Sequence, residues 1–180
     1  GAVTMSGGTL AGNSAESGEG GAIYANSGTV TYTGGSINGG NSAVNGAAIF
    51  VGSGIANVSA SITGNTATNG GAIGVGGTSA RLNFKGNAEV NSNTMNGAQS
   101  NVYLDVDSEL VVNADSLNNG KKIGIYVPGD VNSDQVVKHG DVTGYFGAYV
   151  SAGTLANLTS VFKSDRYTDL QVAYENNRLY

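Results

Sequence analysis

Apolar residues return in fixed columns about every 26 residues along the first two thirds of this chain, and that repeat limits what it can fold into more than any other feature. One column reads Val3, Val30, Ala56, Leu82, Leu110; a second, two residues on, reads Met5, Tyr32, Val58, Phe84, Val112. A third, Leu10, Ile37, Ile62, Val90, Leu117, leads into stretches such as Ala11-Gly12-Asn13 and Thr63-Gly64-Asn65, which read as turns. A last set opens with Gly20-Gly21-Ala22-Ile23-Tyr24, then Gly46-Ala47-Ala48-Ile49-Phe50, Gly70-Gly71-Ala72-Ile73-Gly74 and, more distantly, Ser100-Asn101-Val102-Tyr103.

Within each set the apolar residues sit two apart, as in Val30 and Tyr32 or Ile49 and Val51, which is the alternation of a strand with one buried face. The sets give three short strands per repeat. Such a strand has no partner inside its own repeat and must pair with its equivalent in the next one, in parallel and in register, at about 4.8 Å. The columns then become ladders inside an all-β parallel β-helix, a solenoid with glycine at its corners and stacked Asn side chains hydrogen-bonding along the axis. A β-sandwich would need hairpin turns and alternation without a fixed period.

After Leu117 the pattern changes. Ile123-Gly124-Ile125-Tyr126-Val127 reads as one more strand, followed by the only proline, Pro128, and an irregular segment rich in Gly and Tyr to about residue 153. The stretch from Asp169 to Tyr180 reads as a hairpin turning through Glu175-Asn176-Asn177. An open last coil would expose its interior and a row of unpaired backbone groups. Residues 1–127 are therefore assigned to coils and 128–180 to a C-terminal β cap. Gly1 enters in the middle of a repeat, so further coils are expected before it.

Composition narrows the function. Of 180 residues, 30 are Gly, none is Cys or Trp, and only 12% are charged. Solvation must come from Asn, Ser and Thr. The net charge is −5, and no Lys/Arg cluster could neutralise a run of phosphates, which argues against nucleic acid as a partner. No apolar run is long enough to span a bilayer, so no direct membrane insertion is expected of this segment. Without cysteine there is neither a disulfide framework nor a thiolate metal site.

The alternation of Gly-Gly-Ala-Ile-Tyr with Gly-Gly-Ser-Ile-Asn-Gly and Ile-Thr-Gly-Asn-Thr-Ala resembles the repeats of pectate-lyase-like right-handed β-helices in bacterial surface proteins. The likeness is greatest to large wall-anchored adhesin-like proteins of Gram-positive gut bacteria, and the Gly-Gly-Ala-Ile element is also similar to that of polymorphic outer-membrane proteins. It covers about residues 1–127. It implies a right-handed coil, export and an extracellular place at the bacterial cell surface.

Enzymes on this fold set acids and bases close together on one face of successive coils. Here the acids of the first coils are Glu16, Glu19 and Glu89 and the bases Arg81 and Lys85, and none recurs at the repeat spacing. Asp105, Asp107 and Glu109 alternate along one strand region and read as a solvated outer face. His139, the only histidine, has no Ser or Cys partner recognisable by spacing. The run Asp130-Val131-Asn132-Ser133-Asp134 with Asp141 looks like a calcium loop, but Gln135 stands where the sharp turn wants Gly, and the flanking helices are lacking. It reads as a polar surface turn. No catalytic residue, metal or cofactor is expected. An ice-binding ladder would start at Thr4 and Thr31 but fails at Asn57, Asn83 and Val111.

One pattern points to recognition. The residue after each inward Ile or Val of the Gly-Gly-Ala-Ile set faces out, giving an outer column of Tyr24, Phe50, Gly74, Tyr103 and Tyr126. Aromatic rings along one ridge can stack on sugars or anchor a protein. Tyr24, Phe50, Tyr103 and Tyr126 are the candidate ligand-binding residues. The expected function is a non-catalytic structural and adhesive module of a large bacterial surface protein, presenting or spacing a surface for a host or microbial glycan or surface protein. The alternative is part of a polysaccharide lyase or hydrolase whose catalytic coils lie upstream.

Overall fold

A computed structural model of the chain describes residues 1–76, 79–104, 109–117, 123–126, 146–149, 162–165, 174–175 and 178–179. All regular elements among them are β-strands, most of them stacked in parallel as a β-solenoid of about four turns. The first coil holds β1 (Ala2–Leu10), β2 (Ser14–Glu19) and β3 (Ile23–Ala25); the second holds β4 (Thr29–Ile37), β5 (Ser42–Asn45) and β6 (Ile49–Val51). In the third coil the long first strand is split into β7 (Ile55–Val58) and β8 (Ser61–Thr63), followed by β9 (Thr66–Gly70) and β10 (Ile73–Val75). The fourth is built likewise, from β11 (Arg81–Gly86), β12 (Glu89–Asn91), β13 (Thr94–Met95), β14 (Ala98–Gln99) and β15 (Val102–Leu104).

The expected columns pair residue for residue. Val3, Val30, Ala56, Leu82 and Leu110 form one ladder, and Met5, Tyr32, Val58, Phe84 and Val112 the next. From the second coil to the fourth, their members are buried to 1% exposure or less. Each large aliphatic side chain withdrawn from water in this way contributes about 1.5–3 kcal/mol. Tyr32 is the one polar member. Its hydroxyl lies 2.9 Å from the carbonyl oxygens of both Gly35 and Ser61, so its single proton is held in the interior. Burial raises its pKa above the ordinary 10.0, opposed by a backbone hydrogen bond at Ile37.

Two sequence readings are corrected. The strand β2–β5–β9–β13, a separate sheet of the solenoid, was not among the expected sets. Its inward residues include Ala43 and Ala67, whose methyl groups carry little apolar signal among Ser, Thr and Asn. The third column runs Leu10, Ile37, Ile62, Val90 and then Ile123, not Leu117, which pairs with Gly86.

The second correction has a structural cause. After Met95 the chain reverses through Asn96 (φ 50°) and Gly97 (φ 82°), and β14 pairs antiparallel with β13. This two-residue hairpin turn ends the separate sheet. With that side closed, the next coil has β16 (Glu109–Leu117) on β11 and one strand, β17 (Ile123–Tyr126), that pairs with both β12 and β15. The solenoid narrows, and the period changes with it.

Of the proposed cap, few residues are described. β18 (Phe146–Tyr149) adds in parallel to β16, and β19 (Phe162–Ser164) to β17. β20 (Tyr174–Glu175) and β21 (Arg178–Leu179) pair antiparallel. Asp130, Asn132, Asp134, His139 and Asp141 lie outside the described residues, as do Asp105, Asp107 and the side chain of Glu109.

Candidate recognition surface

The strands β3, β6, β10, β15 and β17 lie side by side, with Tyr24, Phe50, Gly74, Tyr103 and Tyr126 in one register row. Tyr24 is flanked by inward Ile23 and Ala25, each 8% exposed, while Tyr24 itself is 52% exposed. A strand with buried neighbours on both sides must turn the residue between them outward. Four of the five positions are aromatic, and the structure brings them together as two stacked pairs. The Tyr24 and Phe50 ring centroids are 5.9 Å apart at 15°, and those of Tyr103 and Tyr126 are 5.6 Å apart at 14°. Both are offset-stacking distances.

Gly74 separates the pairs, and the Phe50 ring covers the gap. A Cβ added at Gly74 would meet Phe50 Cδ2 at 2.8 Å, and one added at Gly76 would meet Phe50 Cζ at 2.9 Å. Phe50 therefore leans along the sheet over two glycines. That covers most of its ring and leaves it 9% exposed, although its Cα–Cβ bond leaves the outer face. Tyr103 and Tyr126 are half-buried. Of the candidate residues, Tyr24 offers the most open ring.

A second ladder, of asparagines, runs along the axis at the corner after the third column. Asn13 Nδ2 donates to Asn41 Oδ1 at 2.8 Å, Asn41 to Asn65 at 2.8 Å, Asn65 to Asn93 at 3.0 Å, and Asn93 to Asn101 at 2.9 Å. Asn101 Nδ2 then donates to the carboxylate of Asp165 at 2.8 Å. The last asparagine step is only eight residues long, because the β13–β14 hairpin returns the chain to the same corner. Asn41, Asn65 and Asn93 also close their own turns, donating to the carbonyls of Asn38, Thr63 and Asn91, and reach back to the carbonyls of Leu10, Ile37 and Ile62 in the preceding coil. Gly12, Gly40 and Gly64 precede ladder asparagines with positive φ, and Ser92 takes the same conformation at φ 56°. The ice-binding row Thr4, Thr31, Asn57, Asn83, Val111 is in register but mixed, with Asn83 donating to Asn57 at 2.9 Å.

No family model matches the chain, and no curated protein or solved structure matches it. Among the described residues no group of three His, Cys, Asp or Glu side chains is placed to hold a metal ion. Beside Tyr24 lies a groove of about 480 Å³, lined by Ser17, Gly18, Glu19, Tyr24, Val44 and Asn45. Sequence reasoning did not group Ser17, Glu19 and Asn45 with Tyr24. The available signal was spacing: the first coil has two more residues between its ladder asparagine and the next corner glycine than the second.

Proposed function

We propose that the chain is a non-catalytic, adhesin-like module of a bacterial cell-surface protein, of the kind its repeats resemble, and that its outer aromatic row recognises a glycan or a surface protein. The observation that carries this reading is the row itself: four aromatic side chains held in one line by sheet register, with Tyr24 more than half exposed. An exposed aromatic anchored by a rigid sheet gives up little conformational freedom on binding, which is what a recognition residue needs. The parallel stack supplies the rigidity and sets the strands that carry the row about 4.8 Å apart, with the rings of each stacked pair 5.6–5.9 Å apart. A repeating ligand such as a polysaccharide can meet such a row at more than one ring.

The test is binding of the purified chain to a panel of mucin glycans, plant polysaccharides and matrix proteins, beside a variant carrying Tyr24→Ala, Tyr103→Ala and Tyr126→Ala. Binding by the parent that the variant loses, with unchanged circular dichroism, supports the reading. Binding that survives in the folded variant rejects the row as the recognition surface, and no binding by either form leaves the chain a spacer.

A further inference from the structure

Where the first coil meets the second, their strands do not match in length. Ala15 pairs with Ala43 and Glu19 with Asn45, so the residues between Ala15 and Glu19 contain two more than their counterparts and bulge from the sheet. Bulges re-aim side chains and are frequent beside binding sites. This one raises Ser17 and Gly18 as a wall and turns Glu19 toward Asn45 and Tyr24, making the groove of about 480 Å³. It is an open groove on the outer face, with room for one sugar ring against its wall.

We propose that this groove seats one neutral hexose unit of a glycan, with the sugar ring against Tyr24 and its hydroxyls on Glu19, Asn45 and Ser17. The proposal rests on the reading of the aromatic row as a recognition surface and gives that surface its first specific subsite. Three features select the ligand. The apolar part of the lining is the exposed Tyr24 ring with Val44, enough for the C–H face of one sugar ring.

The polar part is matched to hydroxyl groups. A carboxylate only accepts, whereas an amide and a serine hydroxyl do both. Glu19 is half-buried, and the bond it takes from Asn45 Nδ2 is long, at 3.4 Å, so acceptor capacity is left for a donor such as a sugar O–H. Charge completes the choice. The lining carries a carboxylate and no Lys or Arg in a chain of net charge −5, which disfavours uronic and sialic acids. An organic cation would pair with Glu19 but finds one aromatic ring where a cage of several is the usual receptor.

The experiment is a titration followed by backbone amide NMR. Methyl glycosides of glucose, galactose, mannose and N-acetylglucosamine are added to the chain, with galacturonate and choline as charged comparisons. At least one neutral glycoside is expected to shift the signals of Ser17, Tyr24 and Asn45, with galacturonate at least about tenfold weaker. Glu19→Gln, which keeps the shape, and Tyr24→Ala should each weaken binding about tenfold, the worth of one good charge-assisted or aromatic contact. An unchanged spectrum away from the groove shows that each variant is folded. Shifts confined to Tyr103 and Tyr126 and insensitive to Glu19→Gln overturn the groove while leaving the aromatic row in place. Tighter binding of choline or galacturonate overturns the neutral-sugar assignment. No shift at any aromatic row residue with any probe overturns the groove, and the separate panel of polysaccharides and proteins decides whether the row falls with it.

Discussion

Of the ladders that climb this solenoid, the asparagines and the outer aromatics differ most plainly in continuity. The asparagine ladder is unbroken from Asn13 to Asp165, and Asn41, Asn65, Asn93 and Asn101 are all buried to 1% exposure or less. The aromatic ladder is interrupted at Gly74 and opens to solvent at Tyr24. A buried amide cannot lose its partner without leaving polar groups unsatisfied in the interior, so every coil must keep its asparagine. An outer ring stacked on one neighbour is under no such demand. The difference separates what holds the coils together from what is free to vary on their surface.

Breaking the inner ladder should have the largest effect. Asn65→Ala removes donors to Ile37, Thr63 and Asn93 and the acceptor of Asn41, and it is expected to destabilise the fold by about 3–5 kcal/mol in urea unfolding. A loss below about 1 kcal/mol would show that water replaces the amide. Gly74→Val tests the break in the outer ladder. Its Cβ would run into Phe50 and the backbone of Gly46, so the ring must swing out, at an expected cost of about 1–3 kcal/mol by the same measurement.

Tyr32 sharpens the comparison, as a buried polar group that belongs to neither ladder. Its pKa is raised in the folded state, so the protein holds that proton more tightly than the unfolded chain does. Its contribution is therefore complete below the ordinary value of 10.0 and is lost as pH rises above it. Tyr32→Phe should cost about 1–2 kcal/mol at neutral pH, because the carbonyls of Gly35 and Ser61 lose a donor, and it should flatten part of the alkaline fall in stability. An identical alkaline profile in the variant would place that fall elsewhere. The smallest effect is expected at the corner of the inner ladder. Ser92→Gly relieves a left-handed conformation worth about 1–2 kcal/mol but adds freedom to the unfolded chain, for a net gain of about 0.5 kcal/mol. A measured loss would mean that Ser92 makes a contact worth more than its strain.

Much of this was legible in the sequence. The first two columns and the outer aromatic row have the register that their spacing predicts, because inward and outward residues alternate and each coil repeats the last. The reading lost its footing where side chains stopped signalling burial. Ala43 and Ala67 are too small to mark β5 and β9 as strands; asparagines stacked along the axis were expected and are found, but nothing in the sequence sets Asn41, Asn65 and Asn93 apart from the other turn asparagines as the buried ones. Leu117 was misplaced because a single strand, β17, becomes the partner of both β12 and β15, so the third column resumes at Ile123, six residues beyond the position that the earlier spacing predicts. The covering of Phe50 depends on Gly74 and Gly76, which have no side chain to announce it. The groove beside Tyr24 was detectable as two surplus residues, but only once the register of β2 on β5 gave that surplus a place.

The division between a structural ladder and a recognition surface is tested most directly by measuring two variants side by side, Asn65→Ala and Tyr24→Ala, for unfolding midpoint and for binding to whichever glycan or protein the unmodified chain captures. The account predicts that Tyr24→Ala keeps its midpoint within about 1 kcal/mol of the parent and loses binding, whereas Asn65→Ala loses stability and binds normally while folded. A Tyr24→Ala protein that binds as well as the parent, or unfolds as readily as Asn65→Ala, would contradict it.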